Sequence, residues 1–181
     1  MKYRLAVLAC LYFVVSGAQA GWDPTMTPSW GANLEPEGKA PDAPAWEVSL
    51  PAFPKEENLV EFDVGAAVRF HVYVDTVSIS VKGDEVRFAH VVRTPGGAVN
   101  VSYDGLRCSE YQRAIYASGR PDGTWSRARK SDWRLINESG AGGYFGTMTK
   151  ELWCGEGGHG GPAGTPEQLV KALKAAPNLR R

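Results

Sequence analysis

Three histidines, two widely spaced cysteines, a scatter of aspartates and one basic, aromatic stretch are the residues of this chain whose chemistry can be argued from type and spacing. Nucleophilic hydrolysis needs a serine or cysteine beside a base, and no G-x-S-x-G motif occurs. Metal catalysis needs ligands at set spacing, whereas His71, His90 and His159 are far apart and belong to no H-E-x-x-H pattern. His90 falls on an apolar strand face and is expected to be a hydrogen-bonded core histidine; His71 and His159 read as surface and loop residues. The run Gly155 to Gly160 matches G-x-G-x-x-G literally, but it follows a helical pattern instead of a strand, so no dinucleotide site is expected. The expectation is a protein without catalytic set, cofactor or metal.

The basic and aromatic stretch Trp125 to Trp133 is the most suggestive surface feature. Trp125, Arg127 and Arg129 would share one strand face, with Lys130, Trp133 and Arg134 close by, and guanidinium and indole groups so placed could grip an acidic protein or a polyanionic glycan. The same residues also describe a solvated strand whose arginine stems cover the tryptophans. A hydrolase or transferase would instead need carboxylates such as Asp75, Asp104 and Asp122 to converge in space, which spacing alone does not show.

The elements that would hold these residues begin after an N-terminal segment of a different kind. Lys2 and Arg4, an apolar run from Leu5 to Val15 and the small-residue stretch Ser16 to Ala20 have the order of a secretory signal, with cleavage predicted after Ala20. Eleven apolar residues fall short of the roughly 20 needed to cross a hydrocarbon core. Cys10 would leave with the signal, and Cys108 and Cys154 would remain in an oxidising compartment, where one intramolecular disulfide is the simplest outcome. With 20 basic and 20 acidic residues in the whole chain, the net charge argues against nucleic acid as the main partner.

Residues 21–57 hold seven of the 12 prolines, which forbids regular helix or central strand, and so predict an extended arm. Its tryptophans Trp22, Trp30 and Trp46 leave two readings open: plain disorder, or a part such as Trp46 to Phe53 lying against the domain. Residues 58–154 read as a disulfide-closed β-rich domain. Period-two alternation predicts strands at 68–74, 77–81, 85–93, 98–108, 111–118 and 124–128, separated by turns such as Lys82-Gly83-Asp84, Thr94 to Gly97 and Pro121-Asp122-Gly123. Connections this short demand antiparallel pairing, hence a meander. Residues 144–153 carry Tyr144, Met148 and Leu152 at helical spacing, so a helix is predicted to pack on the sheet and to bring Cys154 to it. Residues 155–181 read as a glycine-rich hinge and a short helix to about Ala175, opened by Thr165 as N-cap, Pro166 at N1 and Gln168 closing a capping box. The fold class predicted is therefore α+β: an antiparallel meander of five to six strands, a C-terminal helix packed on it, and one disulfide.

Phrases within this series resemble the exported, cryptic neisserial protein-like family: Tyr73-Val74-Asp75, Val86-Arg87-Phe88, the run Asn100 to Cys108, Gly119-Arg120, and Asp122-Gly123-Thr124-Trp125 with Trp133. The resemblance covers about residues 58–154, places Leu152-Trp153-Cys154 where the family's second cysteine is expected, and brings no established activity with it. A looser similarity of layout links the chain to surface-adhesin E-like proteins, which bind host or matrix proteins; this is a likeness of plan and not of a site. The functional expectation is an exported, non-catalytic binding or accessory protein, periplasmic in a Gram-negative envelope or else secreted or surface-exposed. Its expected partner is another envelope protein or a polyanionic glycan.

Overall fold

The computed structural model describes residues 47–63, 69–139 and 142–176. The signal-like segment and the arm up to Trp46 lie outside the described residues, as does Val68. Among the described residues seven strands form one antiparallel sheet: β1 (Leu59–Phe62), β2 (His71–Lys82), β3 (Glu85–Arg93), β4 (Val99–Arg107), β5 (Gln112–Gly119), β6 (Trp125–Arg127) and β7 (Arg134–Leu135). They run in the order β1 to β6, each paired with its sequence neighbour, and β7 pairs with β5. The meander predicted from short turns is the fold. Gly83, Gly97 and Gly123, at φ of 60°, 82° and 80°, supply the left-handed residue that three of those turns require.

Two sequence expectations about strands are corrected. The segments at 68–74 and 77–81 are one twelve-residue strand, β2, interrupted by a register shift between Asp75 and Ser80. That bulge absorbs the polar residues that read as a break, and Ser78 stitches it by giving its hydroxyl proton to the Asp75 carbonyl and accepting from the Ala89 amide. The predicted strand at 124–128 ends at Arg127, so Arg129 lies outside it. β1 is an additional edge strand, too short to show a period.

Alternation sorts the sheet residues onto two faces. One carries Val72, Val74, Val86, Phe88 and Leu106, all fully buried. It is covered by α1 (Tyr144–Thr147), which widens into π-helical turns through Trp153, and by α2 (Pro166–Ala175). Tyr144, Met148 and Leu152 do point together into this core. Cys108, at the end of β4, and Cys154, after the π-turns, form the disulfide, with Cα atoms 5.4 Å apart. Trp153 packs edge-on to Phe88 at 4.6 Å and donates its indole proton to the Leu169 carbonyl of α2. The capping box of α2 is present as read, with Thr165 accepting from the Gln168 amide and the Gln168 side chain accepting from the Thr165 amide. Leu169 and Leu173 are buried, so this helix docks.

Among the described residues, the opposite face is covered without helices. Val48, Ala89, Tyr103, Tyr116, Ala117 and Trp133 make a second apolar cluster around a polar interior. There Arg87 forks onto both Glu85 oxygens at 2.8 Å, Tyr116 donates to Glu85 at 2.6 Å, and Arg107 lies 4.2 Å over the Trp133 ring. Gly105 sits beneath this network. A Cβ there would come within 2.3 Å of Glu85 Oε1 and 2.8 Å of the Tyr116 ring, so only glycine fits.

Candidate functional site: a cation-rimmed cleft at the split edge of the sheet

β5 has two partners along its outer edge. β6 pairs with residues 117–119 and β7 with residues 112–113, which leaves the middle of β5 uncovered between them. The connecting segment 128–133 bows away from this gap, and a cleft of about 460 Å³ opens there, within the range of small-ligand sites. Its walls are apolar where Ile115, Leu135, Ile136 and Phe145 meet, and its rim carries Arg113, Lys130 and Arg134 against one acid, Asp132. Ile115 is 40 % and Leu135 57 % exposed, unusual for large apolar residues flanking a core. Lys130 and Arg134 make no ion pair among the described residues.

Arg113 is the residue most firmly placed. β5 register puts it on the helix-covered face, where its guanidinium stacks 3.8 Å from the Phe145 ring centroid. Its Nε and Nη2 both donate to Asp104 Oδ1, at 3.2 and 3.1 Å. Asp104 is fully buried, and its other oxygen accepts from Ser102 at 2.6 Å and lies 3.0 Å from His90 Nδ1, out of line for a strong hydrogen bond. His90 Nε2 meets the Tyr144 hydroxyl at 2.9 Å, so a buried row Tyr144–His90–Asp104 backs the arginine that faces the cleft. Burial pushes the Asp104 carboxyl up, but the His90 imidazole and the Arg113 guanidinium, with the Ser102 hydroxyl, outweigh it and hold the group below the ordinary carboxylate range. Burial, with the Asp104 charge added, pushes the Tyr144 phenol up. Asp104 thus holds its charge more readily than an ordinary carboxylate, and Arg113 is fixed upon it, with Nη1 making no hydrogen bond among the described residues.

The candidate basic stretch is divided among four places. Trp125 and Arg127 are engaged by the chain's own residues 48–53: the Trp125 indole donates to the Pro51 carbonyl at 3.0 Å, Arg127 to the Val48 carbonyl at 2.7 Å, and Phe53 packs on Trp125 at 5.1 Å. Trp133 is buried in the second cluster. Only Lys130 and Arg134 face the cleft, while Arg129 is exposed apart from it. Sequence reading missed Arg113, Ile115 and Phe145; the one available signal was a charged residue in the core-facing register of a strand.

The three candidate carboxylates do not converge. Asp104 lies behind the cleft, and Asp122 sits in an exposed turn, where it accepts from the Thr124 hydroxyl and amide. Asp75 is buried on the other face at the β2 bulge. Neither Asp75 oxygen has a hydrogen-bond partner among the described residues. Burial raises its pKa, opposed only by the Val77 amide, which lies outside good hydrogen-bond geometry. His71, exposed, pairs with Glu61, and His159 lies against the Tyr111 ring in the loop before α2. Among the described residues no cluster of three His, Cys, Asp or Glu side chains is placed to hold a metal ion.

Fold and cleft together define a disulfide-bridged α+β protein, an antiparallel meander with helices on one face and a cationic opening in its split edge. The chain belongs to the CNP1-like family, whose model matches residues 39–174. That span begins inside the proline-rich stretch and runs nearly to the end of α2, so it includes both segments that pack onto the sheet from outside residues 58–154. No curated protein matches the chain, and no solved structure matches it.

Proposed function

We propose that this CNP1-like protein is an exported, non-catalytic binding protein of the cell envelope that holds an acidic group of another envelope component in the cleft at the β5 edge. The observation that carries the reading is the rim: three cations against one acid around an apolar floor, with one cation fixed in advance by a buried carboxylate. Fixed donors lose little freedom on binding, which is how a small site gains affinity. His90, Asp104 and Tyr144, the groups able to move protons, sit behind Arg113 and Phe145 instead of lining the opening, which supports holding over turnover. The disulfide and the signal-like N-terminal segment support export.

The test is made in cells. A photo-crosslinking residue at Leu135 should capture an acidic envelope component, and one at Val99, exposed at the far end of β4, should not. Capture at Leu135 should fall when Lys130 and Arg134 are both changed to Gln. Equal capture at the two positions, indifference to the charge change, or a mature chain still carrying residues 1–20 would overturn the proposal.

A further inference from the structure

Resting on that reading, we infer that the cleft is built for a discrete amphipathic oxyanion, one acidic head joined to an apolar body, in preference to a strongly charged polymer. Arg113 offers one fork. Its Nε–H and one Nη2–H are committed to Asp104 Oδ1, which leaves the end-on pair, one Nη1–H and the second Nη2–H, for a single carboxylate or phosphate head. Lys130 and Arg134 approach from the connecting segment and β7, and Asp132 removes part of their field. Such a rim matches one or two negative charges better than a polyanion, which would meet Asp132 as a repulsion.

The apolar half of the cleft gives the remainder of the argument. Ile115 and Leu135 stay exposed beside the cations although both belong to strands, and Ile136 and Phe145 continue the same surface inward. A bare inorganic anion would leave these walls wet. An alkyl or aryl body would cover them at roughly 25 cal/mol for each Å² taken from water. A volume of about 460 Å³ admits a head and a medium-length chain together. The shared chemistry is an oxyanion on an apolar body, from either a free acid or a lipid-derived phosphate.

Calorimetric titration of the mature, disulfide-intact protein with octanoate, octyl phosphate, octanol and inorganic phosphate tests this. Saturable one-to-one binding of octanoate or octyl phosphate is expected, at least about tenfold tighter than octanol or inorganic phosphate, since a charge-assisted hydrogen bond to the head is worth that much. Changing Lys130 and Arg134 together to Gln, both at exposed positions, should weaken it about tenfold with the thermal unfolding curve unchanged; Leu135→Ser should weaken the octyl ligands and leave inorganic phosphate as it was. Comparing octanoate with octyl phosphate separates the two sources of the head. Octanol binding as well as the anions, inorganic phosphate binding as well as the octyl compounds, or no saturable binding would each overturn the inference. If the amphiphiles fail while Leu135 still captures an acidic envelope component in cells, the inference falls and the proposed function stands.

Discussion

Asp104 and Asp75 are two buried carboxylates whose environments act in opposite directions, and acid should separate them. The folded pKa of Asp104 lies below its unfolded value of about 4, so its stabilisation is complete above that pH and is lost as pH falls through the lower, folded value. Asp104→Asn should cost about 3 kcal/mol at pH 7, because it strips charge from a buried pair, and the gap to the parent should narrow below about pH 4. Urea unfolding at pH 7 and pH 3 measures both. Asp75 has its folded pKa raised, so stability falls as pH climbs from the unfolded value toward the folded one. Asp75→Asn should therefore be more stable than the parent at pH 7, with the advantage disappearing as acid returns a proton to Asp75; the same curves decide it. Little of this was legible beforehand. His90 was read as a bonded core histidine and is one, but Arg113, Glu85, Arg87 and Arg107 are charged residues in core registers, and hydropathy reads such residues as surface. Their partners are fixed by pairing across strands, which no local pattern encodes.

At the scale of elements, the sequence spoke plainly wherever one residue has a local job. Turn glycines, the limits of β3 and the Thr165–Pro166–Gln168 start of α2 depend on neighbours within four positions, and all were read correctly. Elements held by distant partners were not: β1 exists because β2 offers it an edge, and the Asp75–Ser80 bulge exists because Ser78 reaches Ala89. The disulfide was legible from the cysteine count and has the largest consequence for stability. Closing a separation of 46 residues should contribute about 4 kcal/mol in the chain-entropy model. Replacing Cys108 and Cys154 together by Ala should lower the unfolding free energy by about that amount, read from urea midpoints of the oxidised parent and the variant. The loss should appear across the helix-covered face, since Trp153 and Leu169 are held beside the bridge.

For the molecule as a whole, the two faces of the sheet are closed by segments of unlike character. Helices close one; on the other, residues 48–53 lie across Trp125 and Arg127 as an extended strap, with Val48, Leu50 and Phe53 as its apolar contacts. Trp125→Phe keeps an aromatic ring but removes the indole donor to Pro51 and part of the packing on Phe53, so it should cost at least about 1 kcal/mol. Hydrogen exchange should then quicken in residues 47–55 and stay as it was in β3 and β4. The cleft lies at the outer edge of β5, formed by the 128–137 segment and Phe145, and Trp125→Phe should leave its ligand affinity intact. The basic stretch, which reads as one surface in the sequence, is thus split: Trp125 and Arg127 meet the strap, Lys130 and Arg134 the cleft, Trp133 is buried and Arg129 stands apart.

Because α2 docks onto β1 and β2, which lie roughly a hundred residues earlier in the chain, closure of the core depends on contacts of long sequence separation. Until Leu169 and Leu173 arrive, Val72, Val74 and Phe88 have no complete cover. The hairpins of the meander can form from sequence neighbours, whereas the helix-covered face closes only through this distant contact, which makes it the slow part of folding.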